Sequence, residues 1–287
     1  MEALRQRNAQ IASAYNAVPY DDDGAGTIDL AAAFAVAASH GVTPALTDVL
    51  DVGCGTGAQL ARAGVAVTGR VVGIDISAGN CVMTRARCVA FGARATIHHA
   101  DVLDMDPATL DQFDVVLSVG MVYVVPVEVR RAILRLIGRC LKSNGVAVVS
   151  YMTGTNMNVQ AGLYRLLRAS TAPAATPAER VDLARQHLRQ IVDQSTEALR
   201  AHPVFPLLGH VLGMSDALLL HQVLNPDFEV IDTPTLEREM GAEGLRFLNY
   251  VPALPLVDTA SDGRAISAAI GDLFSGGYRY AVFARQP

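Results

Sequence analysis

The chain has 287 residues, of which 51% are hydrophobic and 18% are charged, and its formal net charge is −5. This length is sufficient for one large or two small domains with a buried core, and the acidic balance argues against nucleic acid as the main partner. No apolar run approaches the ~20 residues that a membrane-spanning helix needs, so we expect no membrane partner.

Cysteine usage and the start of the chain indicate a cytoplasmic protein. The four cysteines, Cys54, Cys81, Cys88 and Cys140, form no C-x-x-C pair, and no histidine lies at zinc-finger spacing from them. This pattern is typical of free thiols in a reducing cytosol, and we expect no metal site. The first residues also lack the apolar segment of a secretory signal.

The predicted elements begin with a helical segment over residues 1–47. Residues 48–151 then alternate short β-branched runs with helical patterns, and one helix is predicted from Val127 to Leu141, directly after Pro126. Strands buried on both faces that alternate with helices predict an α/β fold with a mostly parallel sheet. The strand-like runs lie at 48–52, 70–75, 95–99, 113–119 and 145–151.

Residues 152–232 interrupt the alternation of strands and helices. Amphipathic helices are predicted there over Ala178–Leu199 and Leu207–Leu224, and we interpret the segment as a helical cap, or substrate lid, inserted after the fifth strand. Residues 233–287 are predicted to complete the sheet, with a helix over Thr235–Glu243 and strands at 245–251 and 278–284.

A glycine-dense turn directly follows the first predicted strand. Gly53, Gly55 and Gly57 separate that strand from the next helix, and three glycines within five residues suit a backbone that a ligand approaches closely. The spacing Gly53-x-Gly55-x-x-Ala58 also fits a degenerate dinucleotide fingerprint. The glycines alone therefore leave two ligand classes open, dinucleotides and S-adenosylmethionine.

Acidic residues lie at the ends of the first three predicted strands. Asp51 precedes the first glycine, where it would repel a pyrophosphate but suits the ammonium and sulfonium of S-adenosylmethionine. Asp75 can accept hydrogen bonds from both ribose hydroxyls in either ligand class. Asp101 can accept one from the adenine amino group. Together the three acids favour S-adenosylmethionine.

This arrangement of glycines and strand-end acids resembles the class I S-adenosylmethionine-dependent methyltransferase family, and the resemblance covers residues 48–151. It implies a Rossmann-like sheet that is mostly parallel with an antiparallel last strand, S-adenosylmethionine as the cofactor, and a segment at residues 1–47 that covers the cofactor site. The cofactor-binding residues that it implies are Asp51, Gly53, Gly55, Gly57, Asp75, Ile76, Asp101, Val102, Ser118, Tyr15 and Tyr20.

A narrower resemblance rests on short segments. Tyr15–Tyr20 and Leu220–Leu224 are similar to methyltransferases that carry a methyltransferase regulatory domain, and some members of that wider group are implicated in protein lysine methylation. The region Val119–Val124 departs from them, because it is apolar except for Tyr123. This departure makes a protein acceptor a weaker hypothesis than a small one.

Catalysis by this family has modest requirements, because the sulfonium methyl group is already activated. Orientation of the nucleophile alone can lower the barrier by ~7–11 kcal/mol, so a general base is not obligatory. The catalytic candidates are Tyr123, Tyr15 and His221, although each also suits a packed or buried structural role. The acidic turn Asp21–Asp23 is a candidate to attract a cationic acceptor amine. The simpler interpretation is that these three side chains are only solvated.

The leading hypothesis is a methyltransferase that acts on a small molecule, either amino-acid-like or a secondary metabolite, since an enclosing cap favours small substrates. Protein or peptide lysine-type methylation is the alternative from the narrower resemblance. A nicotinamide-dependent oxidoreductase and a non-catalytic cofactor-binding subunit are the two further alternatives.

Overall fold

One seven-stranded sheet, with strand order β3-β2-β1-β4-β5-β7-β6, organises the protein in a computed structural model that describes residues 2–20, 27–251 and 277–286. The acidic turn Asp21–Asp23 lies outside the described residues. Strands β1 to β5 run parallel, and β7 lies antiparallel between β5 and β6. The strands are β1 (Val49–Val52), β2 (Val71–Asp75), β3 (Ala95–His99), β4 (Phe113–Ser118), β5 (Leu141–Met152), β6 (Leu245–Val251) and β7 (Tyr278–Arg285).

The prediction of a mostly parallel sheet with an antiparallel last strand is confirmed. Successive strand residues point to opposite faces of the sheet, and each face has its own core. Leu50 and Val116 pack into one core, whereas their neighbours Val49 and Val115 pack into the other. Burial on both faces explains why these strands are apolar almost throughout.

Eleven α-helices are described, together with one π-helical turn. The first two precede the sheet, α3 to α5 connect its parallel strands, and the others follow β5. The helices are α1 (Glu2–Ala17), α2 (Leu30–Ser39), α3 (Ala58–Ala66), α4 (Ala78–Ala90), α5 (Val127–Cys140), α6 (Thr155–Ser170), α7 (Pro177–Asp193), α8 (Glu197–Arg200), α9 (Phe205–Leu212), α10 (Asp216–Leu218) and α11 (Thr233–Ala242), and the π-helical turn is Leu219–Val223. Within the described ranges, no helix combines the length and the apolar character needed to cross a membrane.

The helices after β5 differ from the sequence prediction. The predicted helix Ala178–Leu199 is in fact two, because Thr196 caps a new helix by accepting a hydrogen bond from the Leu199 amide. The predicted helix Leu207–Leu224 is also broken, at Ser215, which accepts from the Leu218 amide. Hydroxyl side chains compete in this way with the helical hydrogen bonds. Helix α6 was not predicted.

A charged network ties together the strands at the amino edge of the sheet. Arg70 bonds both carboxylate oxygens of Asp48, at 3.3 and 3.0 Å, and Lys142 bridges Asp48 and Asp114 at 2.9 Å each. The hydrogen bond from Arg70 is the main reason that the pKa of Asp48 lies well below its ordinary value. The network therefore links the starts of β1, β2, β4 and β5.

We predict that Asp48→Asn lowers the free energy of unfolding at neutral pH by about 1–2 kcal/mol, because it removes a charged acceptor. A carboxyl with a lowered folded-state pKa stabilises above its unfolded pKa, so the difference from wild type should shrink as the pH falls below ~4. Chemical denaturation at several pH values measures this effect. Asp111→Asn is the matched control, since Asp111 also pairs with Arg70 but is 77% exposed. An equal loss in both variants would contradict the prediction.

Candidate active site

A cavity of about 450 Å³ lies at the carboxyl ends of β1, β2 and β4, where α/β sheets bind ligands, and α1 and the π-helical turn also border it. Its lining combines two sets of residues. The strand-end set comprises Asp51, Gly53, Gly55, Asp75, Asn80 and Asp101. The other, which we call the tyrosine cluster, comprises Tyr15, Tyr20, Tyr123 and Tyr278.

The three glycines of the turn after β1 have left-handed backbone conformations, with φ of 79°, 54° and 84° for Gly53, Gly55 and Gly57. A Cβ atom at Gly57 would come within 2.7 Å of Thr84, so that glycine permits the close approach of α4. A Cβ atom at Gly55 would meet no atom within 4 Å. The space beside the Cα atom of Gly55 is therefore open, so a ligand in the cavity can approach the backbone closely there.

Asp75 connects the glycine turn to the start of α4. Its Oδ2 accepts a hydrogen bond from the Gly55 amide at 2.8 Å, and its Oδ1 accepts from the Ser77 amide at 2.8 Å and from Nδ2 of Asn80 at 3.2 Å. Burial nevertheless raises the pKa of Asp75 above its ordinary value. A carboxylate has about four acceptor positions, so about one remains for a ligand hydroxyl.

Asp51 is a buried acid for which the described residues provide neither a hydrogen-bond donor to Oδ1 nor a counter-charge. Its side chain borders the cavity, the residue is 1% exposed, and among the described residues no donor reaches its Oδ1. Burial, followed by the nearby charge of Asp75, raises the pKa of Asp51 to about 7. A buried, unpartnered carboxylate costs free energy, and a cation beside it would offset that cost.

Asp101 connects the third strand to α1. Its Oδ1 accepts from the Leu103 amide at 2.9 Å, and its Oδ2 accepts from Nδ2 of Asn8 at 2.8 Å. Asn8 is buried and itself borders the cavity. The sequence analysis missed Asn8, because a single asparagine in a polar helix carries no local signal of a contact so far along the chain.

The tyrosine cluster is packed and uncharged. The rings of Tyr123 and Tyr278 are 6.0 Å apart, and the Tyr278 hydroxyl lies 2.7 Å from Oγ of Ser150. Burial raises the pKa of Tyr123, and that of Tyr278, well above its ordinary value. These phenols therefore stay protonated at neutral pH and act as hydrogen-bonding groups.

His221 lies behind the tyrosine cluster. Its ring stacks on Tyr15 with centroids 3.9 Å apart, and its Nε2 lies 2.6 Å from the carbonyl of Val18. Because a carbonyl only accepts, Nε2 carries the proton. Burial lowers the pKa of His221, so the ring is neutral and fastens the segment after α1 to the π-helical turn.

Most of the sequence-predicted site residues come together at the cavity, and three do not border it. Gly57 packs on α4, the Ser118 hydroxyl is fully buried without a partner among the described residues, and His221 faces Val18. The predicted residues that border the cavity are Tyr15, Tyr20, Asp51, Gly53, Gly55, Asp75, Ile76, Asp101, Val102 and Tyr123. Bordering residues that the sequence analysis missed include Asn8, Ile11, Thr56, Gln59, Asn80, Met121 and Gln222.

We predict that Asp51→Asn stabilises the ligand-free protein by about 2 kcal/mol at pH 8, because it removes an unpartnered buried charge. A carboxyl whose folded-state pKa is raised loses stability as the pH rises from its unfolded pKa toward 7. The gain should therefore disappear near pH 4, as thermal unfolding at both pH values would measure.

The matched control for this prediction is Asp101→Asn. Both oxygens of Asp101 accept hydrogen bonds, one from the Leu103 amide and one from Nδ2 of Asn8. In Asp101→Asn the new NH2 group would lie against one of these N–H groups, which should lower the melting temperature. A destabilised Asp51→Asn protein at pH 8 would contradict the assignment of Asp51 as an uncompensated charge.

Comparison with known proteins identifies the domain around this cavity. Residues 49–145 match the family model described as "Methyltransferase domain". The uncharacterized protein RP789 of Rickettsia prowazekii (strain Madrid E) is 31% identical over 113 residues, which are 38% of this chain and 20% of that protein.

Two solved structures illustrate the similarity of the fold. PKMT2 from Rickettsia typhi in complex with AdoHcy has a TM-score of 0.73 at 19% identity, covering 89% of this chain and 52% of that chain. Magnesium protoporphyrin IX methyltransferase (ChlM) from Synechocystis PCC 6803 with bound SAM has a TM-score of 0.50 at 11% identity, covering 97% of each chain.

The chain spans about a fifth of RP789 and about half of PKMT2. The matched domain favours S-adenosylmethionine over a dinucleotide, the two ligand classes that the glycine spacing left open. The predicted Rossmann-like fold is confirmed, and the family model supports the predicted methyltransferase family over residues 49–145. The AdoHcy and SAM bound in these two solved structures are consistent with the predicted cofactor. The chain therefore contains, at residues 49–145, a domain that matches the methyltransferase family model, within a fold similar to that of magnesium protoporphyrin IX methyltransferase.

Proposed function

We propose that the protein transfers a methyl group from S-adenosylmethionine to a small-molecule acceptor held in the tyrosine cluster. The observation that carries this proposal is the buried carboxyl of Asp51, for which the described residues supply no counter-charge and which borders the same cavity as Gly55. S-adenosylmethionine is a cation with an amino-acid end, so it matches a negative and otherwise uncompensated site.

The strand-end residues fit the parts of this cofactor. Asp51 would hold the positive groups of S-adenosylmethionine. The free acceptor position of Asp75 would accept a hydrogen bond from a ribose hydroxyl, and Asp101 would accept one from the adenine amino group. Gly55 would let the backbone approach it without a Cβ atom in the way. When bound, S-adenosylmethionine supplies the activated methyl group.

The volume of the cavity supports a small acceptor. Ligand cavities commonly measure about 300–1,000 Å³, and this one, at about 450 Å³, has to hold both cofactor and acceptor. Helix α1 and the π-helical turn border it, and Asn8 and His221 attach the N-terminal segment to its walls. These walls would help to orient the acceptor, which is the main requirement for displacement at an activated methyl group.

Lysine-type methylation of a protein or peptide is the second candidate. The segment Tyr15–Tyr20, on which its resemblance rests, contributes two tyrosines to the cavity. A single lysine side chain is also small enough for an enclosed cavity, so the nature of the acceptor has to be decided by experiment.

We predict that S-adenosylhomocysteine binds about five- to tenfold more weakly at pH 6 than at pH 7.5. Binding of its ammonium favours ionised Asp51, and one pH unit below a pKa of about 7 only about a tenth of the carboxyl is ionised. Isothermal calorimetry measures the affinity. Asp51→Asn should abolish this pH dependence, and Asp75→Ala should abolish tight binding.

Asp193→Asn, at the exposed end of α7, is the control for charge removal and should bind like wild type. If wild-type protein does not bind S-adenosylhomocysteine at any pH, the proposed function is wrong.

Transfer of a labelled methyl group tests the class of acceptor. Protein incubated with methyl-labelled S-adenosylmethionine and a cell extract of its source should place label in the small-molecule fraction, because the cavity is enclosed. Label in the protein fraction alone would favour the lysine-type alternative. Cofactor binding without transfer to either fraction would indicate a non-catalytic subunit.

A further inference from the structure

Gln222 is a buried polar residue that borders the cavity and to which the proposed function assigns no part of the cofactor. It lies in the π-helical turn, is 5% exposed, and borders the cavity together with the tyrosine cluster. Its neighbour His221 is directed instead at Tyr15 and Val18. π-Helical turns in longer helices are frequent at functional sites, and this one places the two residues in different environments.

The orientation of the Gln222 amide follows from its hydrogen bonds. Tyr164 donates its only hydroxyl proton to Oε1 of Gln160 at 3.0 Å, so toward Gln222 it can only accept. The donor to Tyr164 is therefore Nε2 of Gln222, at 3.3 Å. Tyr164 is fully buried against Phe228, with ring centroids 5.1 Å apart, which fixes this anchor.

Anchoring of Nε2 leaves the carbonyl oxygen of Gln222 for the cavity. Among the described residues, Nε2 is the only side-chain atom of Gln222 that has a hydrogen-bond partner. Because Gln222 borders the cavity and no described residue donates to its Oε1, this oxygen is available to a ligand that brings an N–H or O–H group.

The chemistry of an amide distinguishes nitrogen from oxygen acceptors. An amide oxygen accepts a hydrogen bond but does not remove a proton at neutral pH. A hydroxyl group bonded to it would keep its proton and become an unstable oxonium on methylation. An uncharged amine has a lone pair for attack as well as N–H groups, and its methylated product is a stable ammonium.

We propose that Oε1 of Gln222 accepts a hydrogen bond from the N–H group of an uncharged amine, which is the methyl acceptor. This inference rests on the proposed function and specifies its substrate class. The nitrogen lone pair forms the new N–C bond while the C–S bond breaks, and the bonding pair stays on sulfur as a neutral thioether. The nitrogen becomes an ammonium, which releases its extra proton to water.

The amide dipole of Gln222 contributes to this step in two ways. Its oxygen holds the N–H so that the lone pair on the same nitrogen remains free for attack, and its partial negative charge stabilises the positive charge that develops on nitrogen. The neutral phenols of Tyr123 and Tyr278 supply further polar atoms in the same cavity.

The test uses full-length protein, S-adenosylmethionine with a carbon-13-labelled methyl group, and the acceptor-containing extract fraction. The carbon chemical shift of the product shows which atom carries the new methyl group, and the expected position is nitrogen. Gln222→Met should lower kcat/KM by about tenfold, as expected for loss of one buried hydrogen bond. Its affinity for S-adenosylhomocysteine should stay within twofold of wild type.

Two further variants separate recognition from folding. Gln160→Met lies outside the cavity lining but removes the acceptor of the Tyr164 hydroxyl proton, so that Tyr164 can donate to Oε1 of Gln222 instead. This variant should therefore lose activity while it keeps its affinity for S-adenosylhomocysteine. Tyr164→Phe keeps Gln222 but removes its anchor and should produce an intermediate loss.

A methyl group on oxygen, sulfur or carbon would overturn the inference, and so would an unchanged kcat/KM in Gln222→Met. N-methylation of lysines in a protein fraction would support the role of Gln222 while refuting a small acceptor. Failure to bind S-adenosylhomocysteine or to transfer any methyl group would overturn the proposed function itself.

Discussion

A buried acid at the end of β1, for which the described residues supply no counter-charge, is the constraint on which the site depends. Asp51 follows apolar residues that are buried on both faces of the sheet, and its carboxyl stays buried where the chain enters the glycine turn. Burial and the second acid Asp75 raise its pKa to about 7. A fold that retains such a group sacrifices stability at a site where a cationic ligand can restore it.

Closure of the cavity comes from two segments that are far apart in the chain. Asn8, on α1, reaches Asp101 after the third strand, and His221, in the π-helical turn, reaches the carbonyl of Val18 just beyond α1. Both contacts are short and buried or half-buried, so the N-terminal segment packs as a wall of the site. The strand-end residues and the tyrosine cluster consequently border the same cavity.

The polar atoms in this space favour a particular kind of chemistry. The phenols of Tyr123 and Tyr278 are held neutral by burial, and Gln222 is anchored through its nitrogen. Neutral oxygen-bearing groups orient a nucleophile and stabilise positive charge without removing protons. This suits a reaction in which the methyl group is already activated and the acceptor brings its own lone pair.

The sequence by itself determined the mostly parallel sheet, the glycine turn and the three strand-end acids, whereas the antiparallel last strand was implied by the family resemblance. Those features follow from local patterns, because apolar runs, strand-ending acids and glycines with left-handed backbone are readable over a few residues. The breaks in the helices after β5 are local, since Thr196 and Ser215 cap new helices, but apolar periodicity did not reveal them. Only the tertiary structure decided that Ser118 and Gly57 do not border the cavity and that Asn8 and Gln222 do. Each of these outcomes depends on contacts with residues distant in the chain, such as the hydrogen bond of Gln222 with Tyr164, and no local pattern encodes such contacts.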